Sequence, residues 1–195
     1  MRLTRIVWRA HHPRWSFAPT SGEGAARHGG RFNRIGVPAL YTSLRLETAW
    51  LEAQQGLPFK AQPMTLCGYG VDCEDIADPT DSATRATLGI DLPDLGCAWE
   101  DLADRGTNPP SWEAADRLIA AGHAGILVPS FAAGATVLDV NVVFWQWSTD
   151  PPHQIEVIDD TGRLPRNDLS WRYHRWIGHS VVSAMVMKPV RGERT

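Results

Sequence analysis

Apolar and polar positions alternate from Thr4 to Arg9, with β-branched residues among them, and this predicts a first strand. No period follows: His11 to Gly30 is rich in Gly, Pro, Ser and His and predicts a long loop, a feature that in a compact domain is commonly functional. A short strand is predicted over Val37 to Thr42 and a helix over Arg45 to Gln55, stopped by Gly56 and Pro58. On that helix Leu46, Ala49, Trp50 and Ala53 recur at i, i+3, i+4 and i+7, which predicts a buried apolar stripe. Glu52 falls on its flank, roughly 110° from the stripe's centre at about 100° per residue, where it reaches the edge of a cleft.

Met64 to Val71 predicts another strand, whereas Asp72 to Asp94 is acidic, interrupted by proline and weakly patterned, and predicts a surface excursion without a function. Ser111 is placed to cap a helix over Trp112 to Ala121 that ends at Gly122. Gly125 to Ser130 predicts a short buried strand whose Pro129 ends the ladder and delivers Ser130 to an edge. Further strands are predicted over Val137 to Trp147, Gln154 to Ile158 and Ser180 to Met187. Strands outnumber helices and do not alternate with them as βαβ units, so the fold class is α+β. A chain of 195 residues is the size of one domain, here 1–195 with its core from about 5 to 187.

Charge narrows the partners. The formal net charge is −3 with both signs mixed along the chain, so no broad field favours nucleic acid or an anionic membrane. The run from Trp171 to Trp176 interleaves aromatics with cations, as single-strand binders do, but it is not repeated and is read as a partner surface or half-buried helix. Cys67, Cys73 and Cys97 form neither a disulfide framework nor a C-x-x-C pair, which suits a reducing cytoplasm. No long apolar run predicts a membrane span or secretory leader. His11-His12 and His174-x4-His179 lack companions at metal-ligand spacing, so no metal is expected.

Candidate chemistry concentrates between Gly29 and Glu52. The run Gly29-Gly30-Arg31-Phe32-Asn33-Arg34-Ile35-Gly36 joins backbone-freeing glycines to an arginine and an amide just before a strand. Main-chain N–H groups there are expected to approach an anion, with Arg31 adding a bidentate clamp. Neither the Walker nor the dinucleotide-binding glycine motif is present. Tyr41 then closes a strand and Glu52 lies on the next helix, so a phosphate clamp, an aromatic surface and a carboxylate are expected to converge. Arg27, His28 and Arg34 lie near enough to hold a free phosphate, though solvation is the simpler reading of each.

Gly30-Arg31-x-Asn33-x-x-Gly36, then Tyr41-Thr42-Ser43, Ala49-x-x-Glu52, and far downstream Val128-Pro129-Ser130 and Asn141, resemble the RES domain, as does Trp8-Arg9 on the leading strand. Phe32 stands where that family often has Trp. The resemblance implies an ADP-ribosyltransferase-like fold around an NAD cleft, with Glu52 as the catalytic carboxylate, Arg31 on the NAD phosphates and Tyr41 beside the nicotinamide. It assigns Arg9, Asn33, Ser130 and Asn141 to NAD binding as well, Ser130 through a hydrogen bond to ligand or to Glu52.

The same resemblance implies a growth-arresting toxin of a bacterial toxin–antitoxin pair that consumes NAD by hydrolysis or phosphorolysis. Its partner would be an Xre-like helix-turn-helix antitoxin covering the cleft. A protein mono-ADP-ribosyltransferase and a catalytically silent nucleotide- or partner-binding module are the alternatives.

Overall fold

The computed structural model describes residues 1–55, 63–169 and 171–172. Its strands are β1 (Leu3–His11), β2 (Leu40–Ser43), β3 (Thr65–Cys73), β4 (Ile76–Ala77), β5 (Gly125–Pro129), β6 (Val140–Phe144) and β7 (His153–Val157). The α-helices are α1 (Glu23–His28), α2 (Leu46–Gln54), α3 (Ser82–Leu88), α4 (Leu92–Leu95), α5 (Trp99–Asp104) and α6 (Pro110–Ala120). The strands form one sheet in the order β4-β5-β6-β2-β1-β3-β7, antiparallel except for the β4–β5 pair. This is the expected α+β class.

Around β5 and β6 both faces of the sheet are buried, and strand alternation divides the core between them. Leu127, Val142 and Phe144 join Val7, Leu40 and Tyr69 on one side. Ile126, Val128 and Val143 meet Leu95, Ala114 and Leu118 of the helical layer on the other. Burial on both faces explains why β5 reads as a continuous apolar run.

One junction matters most for function. β1 and β3 pair along nine residues, from Leu3↔Cys73 to His11↔Thr65, and β2 and β6 pair from Leu40↔Phe144 to Ser43↔Asn141. Between β1 and β2 the register holds a single pair, Trp8↔Ser43. The sheet is therefore two wings that part beyond that point.

Several expectations are corrected. The stretch from Asp72 to Asp94 is not wholly a surface excursion: Ile76, Ala77 and Ile90 are in the core, and Asp81 caps α3 by accepting from Thr84 N at 2.7 Å. β4 has too few residues to display a period. Ser111 is no N-cap; it lies inside the first turn of α6, fully buried, behind Pro109 and Pro110, which start the helix with preset φ. The strand expected over Val137 to Trp147 is shorter, because Val137 and Leu138 project from the β5–β6 connection at 94% and 65% exposure. The long first loop carries a 3-10 turn (Pro13–Trp15) and α1. The strand expected over Ser180 to Met187, the stop at Gly56 and Pro58, His174, His179 and most of the Trp171 to Trp176 run lie outside the described residues.

Candidate active site

Where the wings part, a cavity of about 320 Å³ opens between Arg9 and His11 of β1 and Tyr41 and Ser43 of β2. Helix α2 roofs it with Ala49, Glu52 and Ala53. A second cavity of about 160 Å³, walled by Arg31, Phe32, Trp99 and Phe131, shares Tyr41, Glu52 and Asn141 with the first. Glu52 thus stands at the meeting point of two lobes.

The inward face of α2 is not the stripe that the apolar period predicts. Thr48 and Ala49 are buried and Glu52 and Ala53 line the cavity, whereas Leu46 and Trp50 are 39% and 40% exposed. The helix is turned by roughly a quarter turn from the expected orientation. Glu52 is consequently at the centre of the buried face rather than on its flank.

Three donors converge on the Glu52 carboxylate. Ser130 Oγ donates to Oε1 at 2.6 Å, the contact anticipated for it, and Asn141 Nδ2 donates to the same oxygen. Gln55 Nε2 donates to Oε2. Asn141 is oriented in turn by Ser43, whose hydroxyl donates to Asn141 Oδ1 at 2.6 Å. Ser130 lies just past Pro129, and its Oγ also accepts from Ala132 N at 3.2 Å.

The glycine loop before β2 holds Tyr41, and the amides of its glycines, Phe32 and Asn33 are already bonded. Gly30 N bonds Asn33 O, Asn33 N bonds Gly30 O, Gly36 N bonds Ala26 O, and Phe32 N donates to the Tyr41 hydroxyl at 3.0 Å. Two indoles staple the loop from behind, Trp112 Nε1 to Gly30 O at 2.7 Å and Trp145 Nε1 to Phe32 O at 2.8 Å. The amides of Gly30, Phe32, Asn33 and Gly36 are therefore engaged within the protein and do not form the expected backbone grip on phosphate, and Arg31 is the loop's charged contribution beside the cavity. Gly30 is required for close approach, since a Cβ there would collide with the Tyr41 hydroxyl and stand 2.7 Å from Asn33 Oδ1.

Asn33 lines neither cavity. At 2% exposure its amide donates to Ala25 O, Arg34 O and Val37 O and its Oδ1 accepts from Tyr41 Oη at 2.7 Å, so it supports the tyrosine from behind instead of meeting ligand. Burial pushes the Tyr41 phenol well above its usual range, which leaves the side chain an aromatic wall with a fixed hydroxyl.

Two cations flank the carboxylate. Burial lowers the Arg9 guanidinium from its ordinary value; its Nη1 donates to Pro19 O at 2.9 Å and Ser21 O at 3.1 Å. Burial likewise lowers Arg31, opposed in part by Cys97 and Glu52; it donates to Cys97 O and lies 5.1 Å over the Phe131 ring. Among the described residues neither arginine forms an ion pair with a carboxylate, whereas Arg27 is paired with Glu23 and Arg34 with Asp116 at the surface. Thr48, Trp99, Phe131 and Asp139 are not among the residues to which the sequence points, and Ser43 enters there only as the last residue of Tyr41-Thr42-Ser43. A threonine one turn before Glu52, on a helix otherwise read for its apolar residues, was the available signal.

Residues 6–167 match the RES domain. A chain of the solved structure described as the crystal structure of the M. tuberculosis MbcT–MbcA toxin–antitoxin complex is similar in fold, with a TM-score of 0.57 and 21% identity over 82% of this chain and 84% of that one. No curated protein matches by sequence.

Proposed function

Since the chain belongs to the RES domain family, we propose that it cleaves the nicotinamide–ribose bond of NAD and serves as the growth-arresting toxin of a bacterial toxin–antitoxin pair. The observation that carries this reading is the Glu52 carboxylate, held by Ser130 and Asn141 where two lobes meet, with Arg9 and Arg31 on either side. The larger lobe alone, at about 320 Å³, falls within the size range of small-molecule sites, and the adjoining one extends it for a two-part ligand.

As nicotinamide departs, positive charge moves onto the ribose, giving an oxocarbenium-like transition state of the kind that carboxylates stabilise in glycosidases. A carboxylate fixed beforehand favours that charge more than it favours the ground state, because no reorganisation is needed when the charge develops. Nicotinamide leaves neutral, so no general acid is required. Arg9 and Arg31 hold the diphosphate, and Tyr41 packs beside the nicotinamide. Asn33 contributes to binding only through Tyr41.

The similar fold was crystallised in a toxin–antitoxin complex, which supports an antitoxin partner for this chain. Such a partner, a helix-turn-helix protein, covers the cleft and silences the activity in the cytoplasm. The test is to incubate the purified, antitoxin-free chain with NAD in three arms: alone, with inorganic phosphate, and with cell extract. Consumption in the first arm identifies hydrolysis, stimulation in the second phosphorolysis, and labelled protein in the third ADP-ribosylation. Unchanged NAD in all three would refute the enzymatic reading.

A further inference from the structure

Glu52 and the two residues that donate to its Oε1, Ser130 and Asn141, come from separate pieces of chain, and one residue outside the cavity bonds beside the first two and lies just before the third. Asp139 is 7% exposed. Its Oδ1 accepts from Thr48 Oγ1 at 2.6 Å, one turn of α2 ahead of Glu52. Its backbone carbonyl accepts from Ser130 N at 2.7 Å, where β5 ends. Two residues later the chain reaches Asn141 on β6. The other carboxylate oxygen, Oδ2, accepts from Thr136 N and Thr136 Oγ1, both at 2.8 Å, which closes the neck of the β5–β6 connection.

Helix α2 needs such an anchor. Arg45 precedes it in an extended conformation with no side-chain cap, so the first-turn amides fix neither its rotation nor its axial position. Thr48 is fully buried, and its hydroxyl donates to Asp139. Arg45 Nη1, 3.8 Å from Asp139 Oδ1, adds a cation at the same place. A buried bond between a hydroxyl and a carboxylate is both short and charge-assisted, and it tolerates little misalignment.

We propose that Asp139, acting through Thr48, is a positioning residue of the active site: it sets the rotation of α2 that brings Glu52 against Ser130 and Asn141. The reading of turnover used to test it rests on the proposed NAD cleavage; the geometry does not. Misplacement by about an ångström from outside the chemistry lowers rates by up to ~100-fold. Loss of the anchor therefore lowers kcat while leaving KM nearly unchanged.

The experiment compares Thr48→Val, Thr48→Ser and Asp139→Asn, each in the wild-type and the Glu52→Gln background, with unfolding curves confirming a folded chain. NAD turnover and the side-chain amide NMR signals of Asn141 are read for all of them. Thr48→Val and Asp139→Asn are expected to lower kcat by roughly 10- to 100-fold, Thr48→Ser to restore it, and neither loss to recur once Glu52 is Gln. The Asn141 amide signals shift in Thr48→Val and stay in place in Thr48→Ser. Full kcat in Thr48→Val, or an equal loss in both backgrounds, would overturn the assignment. Should the wild-type chain consume no NAD, the functional reading falls and the Asn141 signals decide: moved signals uphold the positioning role, and unmoved ones refute it.

Discussion

The Ser43 hydroxyl donates to Asn141 Oδ1 at 2.6 Å, which holds the amide in the orientation that the acceptor-only Glu52 carboxylate requires. With its oxygen engaged, Asn141 presents Nδ2 to the carboxylate. Removal of the Ser43 hydroxyl leaves Asn141 Oδ1 without its donor and the amide less firmly held against Glu52. Ser43→Ala should reduce NAD turnover by about 2- to 10-fold, the equivalent of one neutral hydrogen bond. Asn141→Asp, which sets a second carboxylate against the first, should reduce it far more. Steady-state kinetics on the two variants check the order.

Glu52→Gln should abolish most of the activity. The loss expected for one preorganised electrostatic group is roughly 10²- to 10³-fold in kcat. Glu52 is only half-buried, so the unfolding midpoint should hardly move. A large fall in melting temperature would show instead that Glu52 holds the fold.

Gly30→Ala tests the support of Tyr41. The added methyl collides with the Tyr41 hydroxyl and crowds Asn33 Oδ1, so about 1–3 kcal/mol of stability should be lost as the aromatic wall is displaced. Gly24 has nothing within 4 Å of its would-be Cβ and lies inside α1. Gly24→Ala should therefore be neutral or slightly stabilising, and chemical denaturation of the pair separates crowding from a general intolerance of alanine.

Acid should destabilise the protein in two stages. Burial, with repulsion from Arg9 and His12, lowers His11 to about 4 from an ordinary 6.5. Between those values the unfolded chain holds more protons than the folded one, so stability falls as pH drops through this window, by roughly 3 kcal/mol in all. Asp139 behaves differently: bonds from Thr48 and Thr136 depress it to about 2, so its contribution is present above the ordinary carboxylate value and is lost as pH falls through about 2. Denaturation across pH 7 to 2 should show both stages, and His11→Gln should remove the upper one.

Much of this architecture is legible in the residues, and the omissions have physical reasons. β1 and β5 announce themselves because burial imposes a period or a continuous apolar run on their side chains. Glu52 is a candidate from the sequence, but the apolar period puts it on the flank of α2, whereas the helix turns a polar pair, Thr48 and Glu52, inward and leaves Leu46 and Trp50 half out. A hydrophobic period reports where water is excluded by default and is misled where a site recruits polar groups. The glycine loop shows the converse. Its composition permits an anion nest, but its amides are taken by Asn33 O, Ala26 O and the Tyr41 hydroxyl, whose approach no local spacing reveals. Asp139 was invisible for a similar reason: its partners, Thr48 and Ser130, are brought to it by β-sheet topology.

The lone Trp8↔Ser43 pair has a mechanical consequence. A hinge made of one backbone pair lets the two wings twist against each other while the ladders within each stay intact. Amide exchange should therefore be fastest along the facing margins of β1 and β2, slow in the β1–β3 ladder, and suppressed at those margins when a ligand bridges them. The seam that borders the cavity is thus the expected place of opening in the sheet.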